Sequence, residues 1–113
     1  MSETAKPVLK VYFYCSASGQ EPVRTWLKSL PAHERQAAGE DIQADQFRWP
    51  LGMPLVKKLA GKVWEVRTQL PTRIARVLFI VQGNQMVLLH GFIKKTRSTP
   101  KLDIDLALNR IDF

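Results

Sequence analysis

The sequence predicts an α+β domain in the order β-α-α-β-β-β-α, with helices packed on a small, mainly antiparallel sheet. Two observations carry this. Four segments are rich in β-branched and aromatic residues or alternate in polarity, and three others repeat apolar residues every three to four positions. Proline and glycine punctuate nearly every junction between them. At 113 residues the chain is one domain with room for a single core.

Residues 1–6 read as a loose tail. Residues 8–14 (VLKVYFY) read as the first strand, with Cys15 as a buried small residue at its end. Ser18 and Glu21 have capping-box spacing, and Pro22 suits a first helical turn. Val23, Trp26, Leu27 and Leu30 then form the stripe of a short amphipathic helix. Pro31 ends it and opens a second helix over about 31–48. That helix has a thin stripe of Ala37, Ala38, Ile42 and Phe47. Its acidic residues Glu34, Glu40, Asp41 and Asp45 read as a solvated outer face.

Pro50, Gly52 and Pro54 mark a loop. Residues 62–68 (KVWEVRT) alternate as a strand, and 74–81 (IARVLFIV) form the next. Gly83-Asn84 makes a tight connection to 86–93 (MVLLHGFI). The near-continuous apolar character of this meander implies cover on both faces. Thr99 can cap a last helix with Pro100 at its first position, and Ile104, Ala107, Leu108 and Ile111 give it one apolar stripe.

Charge is the strongest functional signal. The net charge is +7 and the pI about 9.9, which points to a polyanionic partner. Between residues 57 and 101 the basic residues are Lys57, Lys58, Lys62, Arg67, Arg73, Arg76, Lys94, Lys95, Arg97 and Lys101, against Glu65 alone. No apolar run approaches the roughly 18 residues of a membrane span, and the N-terminus lacks a signal-peptide core. A single cysteine suggests a reducing cytoplasm. No CxxC, HExxH or clustered His/Asp pattern suggests a metal, and no cofactor is expected.

Arg67 and Arg76 flank the turn between two strands and should lie close across the pair. Two such guanidiniums repel unless an anion sits between them, and phosphate is an anion they grip bidentately. Their pattern suggests a phosphate site on the sheet face, with Lys57, Lys58, Lys94 and Lys95 on its rim. A structural pair of Arg67 with Glu65, Asp103 or a helix carboxylate competes with that reading. His90 reads either as a core histidine or as a proton carrier.

As a set, several motifs resemble one family. They are Lys57-Lys58-Leu59, Trp64-Glu65-Val66-Arg67, Arg76, and Leu88-Leu89-His90-Gly91-Phe92-Ile93-Lys94-Lys95-Thr96 followed by Pro100. The pattern resembles the phage-derived, HigB-like branch of the RelE/ParE toxin superfamily, over about residues 8–112. The resemblance implies a RelE-like fold and the toxin of a type II toxin–antitoxin pair, held by a helix-turn-helix antitoxin. Such toxins commonly cut mRNA on the ribosome without metal, through attack of the 2′-OH. By the same resemblance, Arg67, Arg76, Lys58 and Lys94 are candidate catalytic residues. Lys57, Lys62, Arg73, His90, Phe92, Lys95 and Arg97 are candidates for RNA and ribosome binding. No tyrosine follows the last strand, so the general acid and base stay open. Two alternatives stand beside this reading: a ParE-like toxin that blocks gyrase by contact, and a module that binds nucleic-acid backbone without chemistry.

Overall fold

A computed structural model describes residues 8–50, 56–94 and 99–111, with the backbone alone at Lys94. Its elements are β1 (Lys10–Phe13), α1 (Pro22–Ser29), α2 (Ala32–Arg48), β2 (Val56–Ala60), β3 (Val63–Gln69), β4 (Ile74–Gln82), β5 (Gln85–Lys94) and α3 (Lys101–Asn109). The architecture is α+β, with three helices on one five-stranded mixed sheet in the order β1-β5-β4-β3-β2. Among the described residues only the β1–β5 pair is parallel. The strand β2 was not expected. Lys57 and Lys58 interrupt its apolar pattern, which hides a short edge strand in sequence. Such an edge is where lysines are tolerated and discourage further pairing.

The sheet is covered on both faces, as the apolar runs implied. Leu9, Val23, Ile42, Val66, Val77, Phe79, Met86 and Leu88 form a core beneath α1 and α2. Val63, Leu78, Ile80, Leu89 and Ala107 form a second, smaller cluster beneath α3. Gly83 holds φ at +58° in the two-residue connection from Gln82 to Gln85, the geometry that a tight hairpin with right-twisted strands requires.

Gly91 has a different reason to be glycine. It faces α1, and a Cβ there would overlap the indole of Trp26. Gly91→Ala should therefore cost about 1–3 kcal/mol of stability, the usual range for overpacking. Urea denaturation checks it, and an unchanged midpoint would contradict this packing.

Local chemistry departs from expectation at several junctions. Glu21 occupies the N-cap of α1 without a side-chain cap bond, while Ser18 bonds Ser16 instead. Pro100, not Thr99, is the N-cap residue of α3. Cys15 is exposed rather than buried. On α3 the stripe is thinner than predicted, because Ala107 is buried but Leu108 is exposed. The loop signals Gly52 and Pro54 fall outside the described residues. No helix among the described residues is long and apolar enough to cross a membrane.

The largest correction concerns α2. Glu40 is exposed and Asp41 partly so, but Glu34 and Asp45 are buried. Glu34 is satisfied: Arg73, in the β3–β4 turn, bonds both of its carboxylate oxygens. That bonding holds the Glu34 carboxyl below the usual carboxylate range. Asp45 has no hydrogen-bond partner among the described residues.

Candidate functional site

The α3 side of the sheet gathers five of the residues that the sequence nominates: Lys57, Arg67, Arg76, His90 and Phe92. Register places Arg67 opposite Arg76 and Arg76 opposite Phe92, so these three share one row across β3, β4 and β5. The adjacent row runs Lys57, Glu65, Leu78, His90 across β2 to β5. Residues two apart along a strand point to the same face, so both rows look toward α3.

An anion does lie between the two arginines, and it is a side chain. Arg76 Nη1 donates to Glu65 Oε1 at 2.8 Å, and Arg67 Nε lies 3.7 Å from the same oxygen. Thr99 Oγ1, just before α3, donates to the other oxygen, Glu65 Oε2. The Arg76 and Glu65 side chains are 1% and 0% exposed. A phosphate arriving from solvent would therefore meet Arg67, whose side chain is 22% exposed, before Arg76. The expectation of a phosphate held between both arginines on the sheet face is corrected in that respect, because Arg76 is buried. The apolar cover of Leu78, Ile80 and α3 sinks Arg76, and Glu65 neutralises its charge there.

His90 and Asp103 meet on the same face. His90 Nε2 and Asp103 Oδ1 are 2.7 Å apart, and the imidazole stacks on Phe92 with ring centroids 5.1 Å apart. A carboxylate can only accept, so Nε2 carries the hydrogen and Nδ1 is left as the acceptor. Both side chains remain partly exposed. This pairing joins β5 to α3 across 13 residues of sequence, and no local spacing could have revealed it.

Other nominated residues lie elsewhere. Lys58 faces α1 and α2, with Nζ 5.7 Å above the Trp64 ring, so it does not join Arg67. The bulge after Lys58 and strict alternation put only Lys57 on the α3 side. Arg73 is held by Glu34 of α2 and is committed to the fold. Lys62 stands exposed in the β2–β3 turn. Lys94 ends β5 opposite Ile74. Lys95 and Arg97 lie outside the described residues. Among the described residues no cluster of three His, Cys, Asp or Glu could hold a metal ion.

A family model described as phage derived protein Gp49-like matches residues 25–112, most of the chain. The chain belongs to the phage-derived Gp49-like family. This is a toxin-like family of the RelE/ParE type, and the five-stranded sheet with its helices is consistent with a RelE-like fold. No curated protein matches the chain. The Gp49-like match spans β2 through α3, which carry Arg67, Arg76, His90 and Asp103, but not β1.

Proposed function

We propose that this Gp49-like protein is the toxin of a HigB-like toxin–antitoxin pair and an endoribonuclease that cuts mRNA on the ribosome. The observation that carries the reading is the pairing of a partly exposed arginine with a histidine–carboxylate dyad on one sheet face of a basic, toxin-like domain. The 2′-oxygen attacks the adjacent phosphorus as its proton passes to His90 Nδ1. Asp103 orients the ring and stabilises the imidazolium that forms. Arg67 stabilises the charge that develops on the phosphorane oxygens. The P–O5′ bond breaks, leaving a 2′,3′-cyclic phosphate and a 5′-oxygen that takes a proton from Lys94 or Lys95. Phe92 offers a stacking surface. Arg76 acts from below, by fixing Glu65 and the electrostatic floor of the site. Lys57, with Lys62 and Arg97, contacts RNA backbone. A helix-turn-helix antitoxin silences the toxin by covering this face.

One observation favours a second reading. Glu65 already neutralises Arg76, so the charge of the buried arginine is balanced without RNA. A binding toxin of ParE type would need no more than that.

Arg67→Ala separates the two. In the nuclease reading it should lower cleavage about 10²–10³-fold, the usual loss for a donor to a developing oxyanion. Primer extension on cellular mRNAs after brief induction is the measurement. Cuts inside translated regions that disappear in the variant support the nuclease. Growth arrest by both proteins without cuts would overturn it and send the search to gyrase or another bound target.

A further inference from the structure

A cavity of about 450 Å³ opens on the α3 side of the sheet, between the chain leaving β1 and the C-terminal end of α3. The mechanism above does not use it. Its floor is Ile80, Val87 and Leu89, its walls are Tyr14 and Arg110, and Gln82 stands on its rim. The volume lies within the roughly 300–1,000 Å³ of small-ligand pockets.

We propose that this cavity receives a base of single-stranded RNA. The chemistry of its walls is the first argument. Arg110 Nη1 donates to the Leu89 carbonyl oxygen at 2.7 Å, and the Arg110 guanidinium lies 5.4 Å from the Tyr14 ring centroid. A guanidinium fixed in advance over an aromatic ring offers its outer plane to a base, and little rotamer freedom is lost on binding. The apolar floor accepts the face of the base or its edge. Gln82 supplies an amide, whose donor and acceptor groups match those along a base edge.

Placement is the second argument. Leu89 in the cavity floor is next to His90, and Phe92 follows on the same strand about 10 Å further on. An RNA strand laid across Arg67 and His90 therefore reaches this cavity without leaving the α3 side. Such a socket would set which base lies beside the cut. That the base belongs to RNA rests on the nuclease reading; occupancy by a base does not require cleavage and is tested separately.

The test is a titration of the ¹⁵N-labelled full chain, followed by amide shifts. The probes are the four 5′-mononucleotides, ribose 5-phosphate as a base-free anion, and N-acetyltryptophanamide as an aromatic side chain without a base edge. Mononucleotides should shift the amides of Tyr14, Val87 and Leu89 at millimolar concentration, with one base preferred. Val87→Phe, which fills the cavity, should weaken that binding by about tenfold or more, the loss of one stacked base. Equal shifts with ribose 5-phosphate would reduce the site to an anion contact at Arg110 and overturn the proposal. Undiminished binding by a folded Val87→Phe protein would overturn it too, as would an absence of shifts. Shifts with the tryptophan amide alone would make the cavity a protein-docking socket instead. Base binding by wild type without RNA cleavage would overturn the nuclease reading and leave the cavity assignment standing.

Discussion

Arg76→Ala is expected to destabilise the fold by about 3–5 kcal/mol, the usual cost of removing one partner of a buried ion pair. The Glu65 carboxylate would stay at 0% exposure with Thr99 and the more distant Arg67 as its remaining partners. Glu65→Gln should be damaging for the mirror-image reason, since it leaves a guanidinium in an apolar layer between Leu78 and Phe92. Removing both charges is a different change. Arg76→Met with Glu65→Leu fills similar volume with apolar atoms and should recover most of the loss. Urea denaturation of wild type, Arg76→Met, Glu65→Leu and the double variant gives the coupling energy directly. A coupling near zero would mean that the pair does not hold the fold as described. The consequence for function is immediate. A domain of this size is stable by only about 5–15 kcal/mol, so an inactive Arg76→Ala protein reports on folding before it reports on catalysis. Arg67, on the rim of the same network, is the cleaner probe.

The fold was legible where one physical pattern dominated. The meander of β3 to β5 was readable because its apolar runs and the Gly83-Asn84 turn agree with each other. Helix α1 was readable from four residues at helical spacing. Strand β2 was not, because an edge strand needs apolar residues on one face at most, and Lys57-Lys58 reads as a solvated pair. The end caps failed for a related reason. Ser18 and Thr99 have hydroxyls at cap-like spacing, but Ser16 and Glu65 are competing partners that only the tertiary fold supplies.

The site was legible in composition and less so in geometry. Opposition of Arg67 and Arg76 followed from alternation and the turn between them, and register places them so. That their shared anion is Glu65 was within reach of the sequence, because Glu65 and Arg67 are two apart on one strand and must share a face. Alternation does not encode the burial of Arg76 and Glu65 together, which depends on how α3 and Thr99 close over that part of the face. The His90–Asp103 pair depends on how α3 docks, which no spacing in the chain encodes.

Asp45→Asn should make stability less dependent on pH, and the sign is specific. Glu34, Ala38, Ile42 and Asp45 are all buried, at i, i+4, i+8 and i+11, so Asp45 occupies a core position of α2. Burial pushes its carboxyl up to about 7. The unfolded carboxyl titrates near 4. Between those values the folded state holds a proton that the unfolded state releases, so this group lowers stability as pH rises from about 4 to 7. The full effect is about 4 kcal/mol, and the part between pH 5 and pH 8 is about 2–3 kcal/mol. Glu34 acts with the opposite sign and at lower pH. Its carboxyl is held low, so its contribution is present at neutral pH and is lost as the solution becomes acid enough to protonate it. Comparing wild type with Asp45→Asn at the same two pH values cancels Glu34 and every other group that both proteins share. Asparagine cannot ionise, so the variant should gain on wild type by about 2–3 kcal/mol between pH 5 and pH 8. Parallel stability curves for the two proteins over that range would show that the Asp45 carboxyl has found water or a partner. In that case the end of α2 would be packed more loosely against the Trp49–Trp64–Phe79 aromatic cluster than the fold implies.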